Sequence, residues 1–140
     1  MEIIEQLPAT QAAKAAHGER RVLIIDDDPT MRLLCSINLQ GHGVVVLEAA
    51  DGRLGLERAR TEFPELILTD VRMPGLDGFE LAEELRRDER TRAIPVIFHS
   101  GEITRANEER ARELGALAYL TKPFDLTALA SLVVSALPQN

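Results

Sequence analysis

The chain has one cysteine, no tryptophan, one tyrosine and four phenylalanines in 140 residues. A lone Cys35 excludes an internal disulfide framework and any multi-cysteine zinc site within the chain. No apolar run approaches the roughly 18 residues that span a bilayer. The N-terminal segment MEIIEQLPATQAAKAAHGERR lacks the basic start and apolar stretch of a secretion signal. Basic residues are in deficit too: 16 Lys and Arg face 23 Asp and Glu, a net charge of −7. Proteins that grip a nucleic-acid backbone present a basic face, so direct nucleic-acid binding is not expected. These absences point to a cytoplasmic domain with no membrane contact, a setting that a free thiol fits.

What is present suits one globular domain. Hydrophobic residues make up 45% and charged residues 28% of the chain. A chain of this length buries about 68–70% of its unfolded surface, enough for a core without a disulfide or structural metal. Residues 1–20 show no sustained period and read as a flexible extension; the domain proper is expected over 21–138. From Arg21 onward, short apolar runs alternate with amphipathic stretches. The runs are 22–25, 44–47, 66–68, 96–98 and 118–120, rich in Val, Ile and Leu, as strands buried on both faces of a parallel sheet are. Asp28, Asp51, Asp77, Thr104 and Asp125 each stand where a helix N-cap belongs. Pro29 follows the first cap, and Gly41, Pro64, Gly115 and Pro138 stand at or beyond helix ends. Strand–helix five times over predicts a five-stranded, doubly wound α/β sheet with helices on both faces.

Ligands of such sheets bind at the carboxyl ends of the strands. The first run ends in Asp26-Asp27-Asp28, the third in Thr69-Asp70, the fourth in His99-Ser100-Gly101 and the fifth in Thr121-Lys122-Pro123. The second, ending in Glu48-Ala49-Ala50, offers less. Acids from two strands, a hydroxyl from a third and a lysine from a fourth therefore meet at one rim. Carboxylates so gathered repel one another and are costly to desolvate unless compensated. A hard divalent cation compensates them; all-oxygen ligation suits Mg²⁺, with Mn²⁺ as a substitute. A carboxylate can accept a phosphoryl group as an acyl phosphate, and a metal with a lysine neutralises charge on the transferring oxygens.

The segments VLIIDDDP, LILTDVRMPGLDG, IPVIFHSG and GALAYLTKPF resemble, in order and spacing, the receiver domain of bacterial response regulators. The resemblance covers about Arg21 to Leu137. It implies a flavodoxin-like sheet of strand order 2-1-3-4-5. It implies Asp70 as phosphoryl acceptor. It implies a metal site of Asp26, Asp27, Asp70 and the backbone carbonyl of Arg72, with Asp27 binding directly and Asp26 largely through water. Lys122 is implied to pair with Asp70 and then with the phosphoryl group, through a cis Lys122–Pro123 bond. Ser100 is implied to hydrogen-bond a phosphoryl oxygen. Tyr119 is implied as an aromatic switch whose ring turns inward when Ser100 moves. Arg72 and Glu102, each two residues beyond a site residue, flank the mouth and would tune phosphoryl lifetime, through an ion pair that hinders the in-line water.

The neighbours of these residues read more plainly. Asp28 is expected as a helix cap. Alternation turns His99 away from Ser100's side, as a packed or partly exposed histidine. His17 and His42 read as surface residues, and Cys35, mid-helix, as a buried, unreactive thiol. Gly101 should leave room near the phosphoryl group and a mobile loop. The last helix, LTALASLVVSAL, carries no charge. One face (Leu129, Leu132, Val133, Ala136) can cover the sheet. Leu126, Ala130, Val134 and Leu137 form a second stripe, expected to be exposed as an apolar surface for self-association or a docked protein.

The reading is a stand-alone receiver, not an enzyme in the usual sense. It takes a phosphoryl group from a sensor histidine kinase or phosphotransfer protein. It then biases a protein-binding surface of the fourth helix, fifth strand and fifth helix. Two rivals have different sequence support. A haloacid-dehalogenase-type phosphatase would use Asp26 as nucleophile and Asp28 as acid, but leaves TDVRMPG and LTKPF unexplained. A phosphorylation-independent adaptor would keep its partner after Asp70→Ala.

Overall fold

The apolar runs form parallel strands, and each helix starts at the polar side chain that marks it in the sequence. The computed structural model describes Glu2–Ile3 and residues 19–138. Most of the N-terminal extension, with His17, lies outside the described residues. In chain order the elements are β1 (Glu2–Ile3), β2 (Arg21–Ile25), α1 (Pro29–Gln40), β3 (Val45–Ala49), α2 (Gly52–Glu62), β4 (Leu66–Asp70), α3 (Gly78–Arg87), β5 (Val96–Ser100), α4 (Arg105–Glu113), β6 (Ala118–Thr121) and α5 (Leu126–Ala136). The sheet order is β1-β6-β5-β4-β2-β3. Its five parallel strands, counted among themselves, run 2-1-3-4-5. The short β1 is an addition to that plan: it pairs antiparallel with β6, Glu2 opposite Tyr119 and Ile3 opposite Ala118.

The helices are fixed at their starts. The carboxylates of Asp28, Asp51, Asp77 and Asp125 and the hydroxyl of Thr104 all accept backbone N–H groups of the first turn. Asp77 and Glu80 form a reciprocal capping box on α3. Strand alternation then divides the core in two. Leu23, Ile25, Ile67 and Phe98 face α2, α3 and α4. Val22, Ile24, Leu68, Ile97 and Leu120 face α1 and α5.

Two expectations need correction. The run at 44–47 is not buried on both faces: β3 is a sheet edge, and Val45 is 43% exposed. The stripe Leu126, Ala130, Val134, Leu137 is not an exposed face either. Ala130 and Leu137 are buried in the core layer shared with Cys35 and Leu39 of α1, and Leu126 packs against that layer. The cause is the neighbouring helix: α5 lies against α1 as well as the sheet, so it buries apolar residues on two sides.

Close packing and backbone bonds hold the remaining helices. A Cβ on Gly55 would come within 2.5 Å of Ile25 Cδ1, and one on Gly78 within 2.3 Å of the Asp70 carbonyl oxygen. Arg86, largely withdrawn from water, donates to the carbonyls of Leu114, Arg92 and Ile94 at 2.9–3.0 Å. It thereby ties the end of α3 to the end of α4 and to the chain entering β5. Arg110 of α4 adds an ion pair with Glu83 of α3.

Candidate functional site

Three strands end in one row. Asp70 lies opposite His99 in the β4–β5 ladder, and Asp26 follows Ile25, which lies opposite Thr69. Each of Asp26, Asp70 and His99 stands two residues beyond an apolar residue of the α1–α5 layer (Ile24, Leu68, Ile97), so all three point to that side of the sheet. Ligand atoms of the three lie within 4.8 Å of one another. Lys122, entering from β6 across a cis peptide bond to Pro123, places Nζ 3.0 Å from Asp70 Oδ2 and 3.7 Å from Asp26 Oδ2.

The electrostatics follow from burial. Asp26 is fully buried. Desolvation is the largest influence on its carboxyl and, with the charges of Asp70 and Asp27, raises its pKa to about 6 against the pull of the Asp28 N–H and of Lys122. Burial works against the Lys122 ammonium. The hydrogen bond to Asp70 and the charges of Asp26, Asp70 and Asp27 outweigh it and hold the pKa above the ordinary lysine value. Asp26 Oδ1 accepts the Asp28 N–H at 2.9 Å, while Oδ2 is buried without a hydrogen-bond partner. A buried, unpartnered carboxylate oxygen among acids, with exposed Asp27 beside it, is a donor set that fits a hard divalent cation.

A second network joins the mouth of the site. The Arg72 N–H donates to Asp70 Oδ1 at 3.2 Å, and its guanidinium pairs with Glu102 at 2.7 Å. The Glu102 N–H donates to Ser100 Oγ at 3.2 Å, and its carbonyl accepts the Tyr119 hydroxyl at 2.7 Å. Tyr119 is fully buried, its ring turned inward. Gly101 has no heavy atom within 4 Å of where a Cβ would sit, so an alanine methyl would meet no obstacle there.

Other residues take the places their patterns suggest. Asp28 is exposed; its backbone N–H donates to Asp26, but its carboxylate is spent on capping α1, which leaves the phosphatase reading without its acid. Cys35 is buried, and burial with the charge of Asp26 pushes its thiol up to about 11. His42 is exposed. His99 is packed, as alternation suggests, but alternation alone missed its neighbour. Nε2 lies 3.5 Å from Asp26 Oδ2. The signal was available in the shared parity of Ile24/Asp26 and Ile97/His99, once strand register is known.

Five parallel strands in this order, with buried acids and a lysine at the carboxyl rim of the sheet, define a signalling phosphoacceptor fold. The chain belongs to the response regulator receiver domain family, whose model matches residues 22–134. The family binds Mg²⁺ at acidic residues and works with histidine kinases or phosphotransfer proteins. PilH of Pseudomonas aeruginosa is 41% identical over 105 residues, covering 75% of this chain and 87% of PilH. RpaA of Synechocystis sp., a DNA-binding dual master transcriptional regulator, is 44% identical over 106 residues; these cover 76% of this chain but 44% of RpaA. The crystal structure of the chemotaxis protein CheY4 of Vibrio cholerae superposes with a TM-score of 0.79 at 30% identity, covering 85% of this chain and 99% of CheY4. Among the described residues no helix is long and apolar enough to cross a membrane.

Proposed function

We propose that Asp70 accepts a phosphoryl group from a phosphohistidine on a sensor kinase or phosphotransfer protein. The observation that carries this reading is the Lys122 ammonium 3.0 Å from Asp70 Oδ2, with buried Asp26 on its other side. A carboxylate oxygen of Asp70 attacks phosphorus and the P–N bond of the donor breaks. The departing imidazole nitrogen takes up a proton, and an acyl phosphate remains on Asp70. Lys122 then faces the transferred oxygens and balances their charge. Asp26, Asp27, Asp70 and the Arg72 carbonyl would hold Mg²⁺, which when bound there supplies the further positive charge that phosphoryl transfer calls for.

Ser100 would hydrogen-bond a phosphoryl oxygen. Its link through Glu102 to Tyr119 gives that event a route to the surface of α4 and β6. The Arg72–Glu102 pair spans the mouth and narrows the approach of a hydrolytic water. The test is acetyl phosphate with Mg²⁺, read by intact mass. Wild type is expected to gain one phosphoryl group and Asp70→Asn none, and Glu102→Ala to lose its phosphoryl group severalfold faster than wild type. An equal gain by the Asn variant removes Asp70 as acceptor.

A further inference from the structure

Asp26 is held firmly on one oxygen only. Oδ1 accepts the Asp28 N–H, so the setting of the carboxylate about that bond depends on what meets Oδ2. Two groups do. One is the Lys122 ammonium at 3.7 Å, which belongs chiefly to Asp70. The other is His99, fully buried, with Nε2 at 3.5 Å. Oδ2 and both imidazole nitrogens are buried and lack any hydrogen-bond partner. Two of these buried, unpartnered atoms, Oδ2 and Nε2, face each other at 3.5 Å and mark an interaction that the chain is built to make.

We propose that His99 is a positioning residue for Asp26: its Nε2–H donates to Asp26 Oδ2 and holds that carboxylate in the setting in which it helps to bind a divalent cation. This rests on the reading of Asp26 as a metal-binding residue. Ordinary N–H···O bonds measure about 3.0 Å, so a shift of about half an ångström closes the contact. The imidazole is fully buried, and burial disfavours its charged form. A neutral ring carries one N–H, and the facing carboxylate oxygen selects Nε2 to bear it. Phe124, edge-on to the ring with centroids 5.5 Å apart, fixes its plane. The Nε2 that carries the proton has no lone pair left for a cation, so His99 is not itself a ligand through the nitrogen that faces Asp26. Partners behind a metal-binding residue orient it, and their loss typically weakens metal binding by about 10–100-fold.

The experiment is Mn²⁺ binding, followed by the electron paramagnetic resonance of the free ion, to wild type, His99→Leu, His99→Gln and Asp27→Asn. His99→Leu keeps the volume and loses the donor; it is expected to weaken Mn²⁺ about tenfold, whereas His99→Gln, which keeps an N–H, stays within about threefold of wild type. Binding by His99→Leu equal to wild type overturns the proposal. So does His99→Gln as weak as His99→Leu, since volume alone would then explain the loss. Asp27→Asn is the separate check on the metal site. If it leaves Mn²⁺ binding unchanged, the metal reading itself fails and the role of His99 falls with it. Nitrogen NMR of the wild-type imidazoles needs no change at position 99, with His17→Gln and His42→Gln supplying the assignment. His99 is expected as the Nε2–H tautomer, and the Nδ1–H tautomer overturns the proposal.

Discussion

Asp88 shows how a single side chain at a helix end sets an acid response. It closes α3 and accepts the Arg90 guanidinium through both oxygens, at 3.1 and 2.8 Å, along with the Arg90 N–H at 2.9 Å and Arg60 at 3.1 Å. The hydrogen bonds from Arg90, with the nearby arginine charges, hold its carboxyl well below the usual 3.8. A carboxyl depressed in the folded state binds fewer protons there than in the unfolded chain. Its stabilisation is therefore present above the unfolded value and is lost as pH falls toward the folded one. Asp88→Asn is expected to be less stable than wild type near pH 7, with the difference shrinking below about pH 4, as urea melts at several pH values would show. No difference between the two limbs would contradict the assignment. At this scale the sequence was informative where a residue closes a strand and uninformative where a residue meets a distant chain segment. Asp26, Asp70 and Lys122 end buried strands, and a polar residue after an apolar run stands out. The bonds of Arg86 to three distant carbonyls, and the approach of His99 to Asp26, depend on register and packing that a single chain does not display.

Helices were legible because their starts are chemical. Five short polar side chains cap five helices at the places their sequence positions indicate. The role of Gly78 was not legible, because the obstacle it avoids is the backbone of another element. As the first residue of α3 it lies against the Asp70 carbonyl, where a methyl would sit 2.3 Å from oxygen. Alanine is the better helix former by about 1 kcal/mol. Gly78→Ala is nevertheless expected to destabilise the fold by about 1–3 kcal/mol, because either α3 or the Asp70 backbone must give way. A thermal melt tests this; a stabilised variant would mean that the approach is looser than described.

Across the whole molecule, the apolar surface sits on a different helix from the one the composition of α5 suggested. The end of the chain is the more hydrophobic helix, yet α1 and the sheet absorb it from two sides. In α1, Met31, Cys35 and Leu39 turn inward, leaving Leu33, Leu34 and Ile37 at 56%, 44% and 60% exposed. Which of two apolar faces a helix buries is a fact about its neighbours, and no period in the sequence records it. The consequence is measurable. Ala130→Glu places an unpaired charge between α5 and α1 and is expected to cost more than about 2 kcal/mol. Ile37→Glu should stay within about 0.5 kcal/mol of wild type. Urea unfolding of both variants decides, and the reverse ranking would return the exposed face to α5.

The carbonyl cage around Arg86 and the Glu83–Arg110 pair clamp α4 at its Leu114 end. At the opposite end, residues 101–106 are all exposed and carry Glu102, the backbone neighbour of both Ser100 and Tyr119. If Asp70 is phosphorylated as proposed, the helix would act as a lever with its fulcrum far from the chemistry: a small pull at the serine would swing the near end through the wider arc while the far end stays moored to α3.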